Sequence, residues 1–127
     1  MRFFLDSSAW VEYLEGSFKG KEVSRILEGG NEIYSISIII SEVVSRAKRK
    51  KQNVDTSFRA ITINSKILEI NPEIAKEAGI LHAEMKMKRK DFGLVDAIIW
   101  IAAKKLNSKL VTCDIHFKDF KNVVLLK

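Results

Sequence analysis

Short apolar runs alternate with segments of helical period along nearly the whole chain, and that order leaves few folds open. Residues 2–6 read as a buried strand, followed by a short helix capped by Ser7 or Ser8 and ending near Gly16. Residues 18–28 form a second helix, stopped by Gly29-Gly30. Residues 32–36 are a strand, Ser37 is the next N-cap, and residues 38–51 form a helix with Ile39, Ile40, Val43, Val44 and Ala47 on its inner side. A helix over 55–64 and a strand over 66–70 follow. Asn71-Pro72-Glu73 then opens a helix that runs to about Lys88, with Pro at the first helical position. A polar loop over 89–93 leads into a nearly all-apolar helix over 94–106, a strand over 109–112 and a last strand over 123–126. Strands separated by helices pair in parallel, so the pattern predicts a parallel sheet covered by helices.

Four acids interrupt this apolar framework. Asp6 and Asp114 fall at or just beyond the C-terminal ends of strands, Glu42 lies in the helix after the second strand, and Asp96 lies in the first turn of the helix over 94–106. Burying an ionised carboxylate without a partner is costly enough that the group neutralises, pairs or binds a cation. Open parallel sheets also bind ligands at the C-terminal edge of their strands. Together these arguments predict a metal site. For Asp96 to join it, residues 71–106 must form a helix pair whose turn at 89–93 reaches back over the sheet edge. Each acid taken singly has a plainer reading: Asp6 and Asp114 as helix caps, Glu42 as an i,i+4 partner of Arg46, Asp96 as a ligand of a helix terminus or a lysine.

Composition narrows the function classes. The chain has 127 residues, 46% hydrophobic and 30% charged, with a single Pro, as expected of one globular domain over 1–127 without linker or repeat. Cys113 is the only cysteine, which rules out an intrachain disulfide and fits a reducing compartment. No secretion signal and no apolar run of roughly 18 residues is visible, so a cytoplasmic protein without membrane contact is expected. The net charge of +6 points to polyanionic partners such as RNA. Its basic residues bunch in Lys48, Arg49, Lys50 and Lys51 and in Lys86, Lys88, Arg89 and Lys90, as phosphate contacts or as solvated helix ends. The chain lacks a GxxxxGK[ST] phosphate loop, a GxGxxG turn, a G-x-S-x-G elbow and Cys/His zinc spacing. A phospho-acceptor domain fits poorly too, since Asp6 stands alone after the first strand.

Four segments taken in order carry a resemblance: Phe3-Phe4-Leu5-Asp6-Ser7-Ser8-Ala9, Ser41-Glu42-Val43, Gly93-Leu94-Val95-Asp96-Ala97-Ile98-Ile99 and Leu110-Val111-Thr112-Cys113-Asp114-Ile115-His116-Phe117. The chain resembles PIN domains over nearly its whole length, and among them the VapC-type toxin ribonucleases. That resemblance implies a three-layer α/β/α fold around a parallel sheet of about five strands. It implies Asp6, Glu42, Asp96 and Asp114 as the acids that chelate Mg²⁺ or Mn²⁺ for RNA hydrolysis, with hydroxyls at Ser7 or Ser8 and at Thr112. It also implies a homodimer and an antitoxin that blocks the site. His116 stands where other members often carry Asp.

Phosphodiester hydrolysis agrees with these residue types, because hard cations held by carboxylates activate water and neutralise phosphate charge. Asp6 and Asp96 are expected to hold the main metal, and Glu42 and Asp114 a second metal or the attacking water. Ser7, Ser8 and Thr112 are expected to orient the acids. His82, within a helix, is read as a partly buried surface residue. Phe92 and Phe117 are the aromatics expected to meet nucleotides. The expected function is a Mg²⁺- or Mn²⁺-dependent endoribonuclease, the toxin of a type II pair. The alternatives are an RNA-processing nuclease outside such a pair and a non-catalytic RNA-binding or assembly module.

Overall fold

The computed structural model describes residues 1–127. Its five strands are β1 (Arg2–Leu5), β2 (Glu32–Ile36), β3 (Lys66–Leu68), β4 (Lys109–Thr112) and β5 (Val123–Leu125). They form one parallel sheet in the order β3-β2-β1-β4-β5. The helices are α1 (Ser7–Glu15), α2 (Phe18–Glu28), α3 (Ser37–Arg49), α4 (Val54–Asn64), α5 (Pro72–Lys86) and α6 (Leu94–Lys105). Parallel strands are joined by right-handed crossovers. The β1→β2→β3 connections step one way across the sheet and the β3→β4 connection steps back, so α1 to α4 cover one face and α5–α6 the other. The result is the expected α/β/α sandwich.

The central strands are buried on both faces, which their sequences anticipate. Phe4, Leu5, Leu110 and Val111 have no exposed surface and pack with Ile36, Ile39 and Trp10. On the helical side, α2 crosses α1 at Gly20, where a Cβ would lie 2.1 Å from the Glu12 carbonyl oxygen, so the approach requires glycine. On the other face α5 and α6 form a hairpin, tied by Lys105 to Glu73 at 2.7 Å and to Glu77 at 2.5 Å. The turn between them reaches the strand ends, as Asp96 requires.

Two capping expectations are corrected. The N-cap of α1 is Asp6 and not Ser7 or Ser8, because the strand ends at Leu5 and Asp6, in extended conformation, turns its side chain to the N–H of Ala9. Ser37 is already helical, and Ile36 precedes it without a side-chain cap, because β2 passes into α3 with no intervening loop. The edge strands are also shorter than expected, β3 ending at Leu68 and β5 at Leu125. A 3-10 turn, η1 (Ile115–Phe117), follows β4. No helix is long and apolar enough to cross a membrane.

Candidate metal centre

The strand order reverses between β1 and β4, and the crevice outside the C-terminal ends of those two strands is where this sheet type takes ligands. Register pairs Leu5 with Val111, which sets Asp6 beside Thr112 at the mouth of that crevice. Thr112 donates its hydroxyl hydrogen to Asp6 Oδ2, and its oxygen accepts the N–H of Asp114 at 2.9 Å. Ser8 donates to Asp6 Oδ1 at 2.7 Å and accepts the N–H of Cys113 at 2.9 Å. These hydroxyls bridge the ends of β1 and β4 and hold the Asp6 carboxylate in one orientation.

Three of the four acids act as local caps and as members of the cluster at once. Asp6 accepts from Ala9 N at 3.0 Å, Asp96 Oδ2 from Gly93 N at 3.2 Å, and Asp114 Oδ1 from His116 N at 2.9 Å. The capping reading and the site reading are therefore compatible: each cap uses one oxygen and fixes the other. Glu42 does not pair with Arg46, whose guanidinium goes to Glu15 at 2.8 Å.

Electrostatics show how closely the acids sit. Burial pushes the Asp6 carboxyl up to about 6; hydrogen bonds from Thr112, Ser8 and Ala9 oppose this, and the charge of Asp114 adds to it. Partial desolvation raises Asp96 as well, against its bond from Gly93 and with the charge of Asp114. Glu42 presents its surface to solvent at the rim, yet crowding by the surrounding protein raises its pKa, opposed by the Ser7 hydroxyl and reinforced by Asp96. The four acids are thus linked in a chain of mutual repulsion from Asp6 through Asp114 and Asp96 to Glu42.

His116 joins Asp96 and Asp114 in one close group, and Asp6 and Glu42, expected as metal ligands, stand outside it. One ligand atom each from Asp96, Asp114 and His116 lie within 4.8 Å of one another. A single cation with ligands at about 2.0–2.6 Å spans about that distance, and the donors are mainly hard carboxylate oxygens, so these residues fit a divalent ion. The His116 ring sits between Asp91, 2.8 Å from Nε2, and Asp114, 3.0 Å from Nδ1. Partial burial works against its charged form, but the hydrogen bond to Asp91 and the charges of Asp114, Asp91 and Asp96 outweigh it and raise the His116 pKa. Asp91 was not singled out in the sequence; its only signal there is an acid in a loop two residues before Gly93.

A PIN domain family model matches residues 3–123. The chain belongs to the PIN domain family, a family of nucleases. Among solved structures, this PIN domain is similar to a toxin–antitoxin complex from Klebsiella pneumoniae, with 26% identity, a TM-score of 0.74, and 95% of this chain and 94% of that chain covered. It is similar to VapBC2 from Rickettsia felis bound to a promoter DNA fragment, at 25% identity and TM-score 0.74, covering 98% and 97%. Mycobacterium tuberculosis VapC20, described as a sarcin–ricin loop cleaving toxin, shares the fold at TM-score 0.78 and 13% identity, covering 98% and 99%. No curated protein matches in sequence.

The basic residues of this PIN domain divide by position. A cleft of about 400 Å³ between α1 and α3 is lined by Ser7, Ser8, Glu42, Lys19, Arg46 and Arg49. Of the run Lys48, Arg49, Lys50 and Lys51, only Arg49 lines it. Lys48, Lys50 and Lys51 share the C-terminal end of α3 with Arg49 but do not line the cleft. Lys19 does not belong to a basic run and meets Arg49 through the packing of α1, α2 and α3, whereas Arg46 lies one helical turn before Arg49 on α3. In the second run, Arg89 is already engaged, donating to the His116 carbonyl at 2.7 Å and pairing with Asp119 at 3.1 Å, while Lys88 and Lys90 are exposed.

The expectation that Phe92 and Phe117 meet nucleotides is corrected, because both are fully buried. Their rings pack edge to face at 6.2 Å, and Phe120 stacks on Phe92 at 5.9 Å and meets Trp100 at 4.8 Å. This aromatic cluster fastens the α5–α6 turn to η1. It sets Asp96 against Asp114. The exposed apolar neighbours of those acids are instead Leu94 and Ile115.

Proposed function

We propose that this PIN domain is a metal-dependent endoribonuclease acting with Mg²⁺ or Mn²⁺, and that it is the toxin of a type II toxin–antitoxin pair. The observation that carries the reading is the placement of Asp6, Asp96 and Asp114 at the switch-point crevice, Asp6 with both oxygens held by Ser8, Ala9 and Thr112, and Asp96 and Asp114 each with one oxygen held by a backbone N–H. When bound, the metal supplies positive charge at the scissile phosphate and a water of lowered pKa. Asp96 and Asp114, whose ligand atoms already lie close together, would hold that ion, and Asp6 would complete the acidic site beside them. Glu42, at the rim and with raised proton affinity, orients the attacking water and takes its proton. Thr112 and Ser8 keep the Asp6 carboxylate from rotating. Lys19 and Arg49 draw the phosphate backbone along the α1–α3 cleft, beside Arg46, which is paired with Glu15.

The similar solved toxin–antitoxin complexes support an antitoxin partner, the net charge of +6 supports RNA, and a homodimer is proposed from the resemblance to VapC-type toxins alone. A cytoplasmic site of action belongs to the same proposal. Induced expression in a bacterial host tests it: growth should arrest, with a discrete new RNA 5′ end mapped by primer extension. Undisturbed growth and an unchanged RNA profile at high expression would contradict it.

A further inference from the structure

The His116 ring is placed as a ligand is placed. A neutral imidazole carries one N–H and one lone pair, and an ionised carboxylate only accepts. Nε2 lies 2.8 Å from Asp91 Oδ2, which puts the ring hydrogen on that nitrogen. In the neutral ring, the form that binds a metal, Nδ1 then carries the lone pair. It is shielded from solvent and lies 3.0 Å from Asp114 Oδ1, but off the hydrogen-bond direction, so no protein group satisfies it. Two lone pairs at that separation repel unless a cation or a proton lies where they converge. One ligand atom of Asp96 lies within 4.8 Å of ligand atoms of both His116 and Asp114. A carboxylate holding the far nitrogen of a histidine is the usual outer support of a metal-bound imidazole.

We infer that His116, oriented by Asp91, is a direct ligand beside Asp96 and Asp114, and that it makes this centre selective for Mn²⁺ and later transition ions over Mg²⁺. The inference rests on the metal reading given above and adds its selectivity. Imidazole nitrogen binds first-row transition ions well and Mg²⁺ poorly, whereas an all-carboxylate site discriminates less.

Pulsed electron paramagnetic resonance of the Mn²⁺-loaded protein tests it directly, since a bound imidazole imprints nitrogen modulation on the signal. The parent and His82→Gln should show that modulation, and His116→Asp should lose it while still binding Mn²⁺. By calorimetric titration, His116→Asp should narrow the Mn²⁺-over-Mg²⁺ affinity ratio about tenfold or more. Asp91→Asn should keep the modulation and bind Mn²⁺ more weakly. Mn²⁺ binding by the parent without nitrogen modulation would overturn the His116 assignment and leave the carboxylate centre standing. No binding of Mn²⁺ at millimolar concentration would overturn both. His116 is partly exposed, so a thermal melt matching the parent's identifies a folded variant.

Discussion

Thr112 donates its hydroxyl hydrogen to Asp6 across the β1–β4 pair and with the same oxygen accepts the backbone N–H of Asp114, so one side chain fixes two of the four acids. A fully buried hydroxyl at the end of a strand is otherwise an unfavourable choice. Its place at the reversal of strand order explains it.

Removing that hydroxyl should therefore cost both stability and activity. Thr112→Val leaves Asp6 Oδ2 and the Asp114 N–H without their partner and should lower unfolding free energy by about 1–3 kcal/mol. Thr112→Ser should recover most of the loss. Urea unfolding of the two variants, beside their cleavage rates, checks this; equal stability of valine and serine variants would contradict it.

Asp6 carries a stability penalty with a definite sign. Its carboxyl titrates near 6 in the fold against an ordinary value of 3.8, so between those values the folded state holds a proton that the unfolded state has released. Stability from this group is highest at low pH and falls as pH rises from about 4 to about 6, by about 3 kcal/mol in all. The metal-free Asp6→Asn protein should lack that decline and exceed the parent in stability at pH 7, while losing activity. Denaturant melts of both chains across pH 4–7 give the difference curve; a flat difference would refute the claim.

Mutual repulsion among the acids should make metal binding stabilising. At a Mn²⁺ concentration 100 times its dissociation constant, the parent should gain about 2.7 kcal/mol, seen as a rise in melting temperature. Asp96→Asn should show little of that rise.

Cleft cations and helix-end cations should separate in a salt titration. Arg49→Gln should weaken RNA binding and flatten the slope of log K against log salt by about 0.7–0.9 per lost phosphate contact. Lys50→Gln combined with Lys51→Gln should change the slope less. Equal effects would return the whole run to the role of RNA contact.

Much of the fold was legible because each central strand is a short apolar run ended by an acid or hydroxyl, and because Asn71-Pro72 and Gly29-Gly30 punctuate the helices. Asp6, Asp96 and Asp114 were legible as carboxylates on apolar elements. The roles of Phe92 and Phe117 were not, since an aromatic in a polar loop reads alike whether it points outward or fastens the loop inward; only the packing with Phe120 and Trp100 decides. Asp91 and Lys19 were hidden for a related reason: neither stands out locally, and each gains meaning from a partner distant in sequence.

Cleavage of a labelled structured RNA by the purified parent and by Asp96→Asn, with and without Mg²⁺ or Mn²⁺, tests the central claim most directly. The account predicts cutting by the parent only when metal is present, and none by a variant that differs by one carboxylate oxygen. Equal cutting by the two proteins, or cutting by the parent that persists in excess chelator, would contradict it.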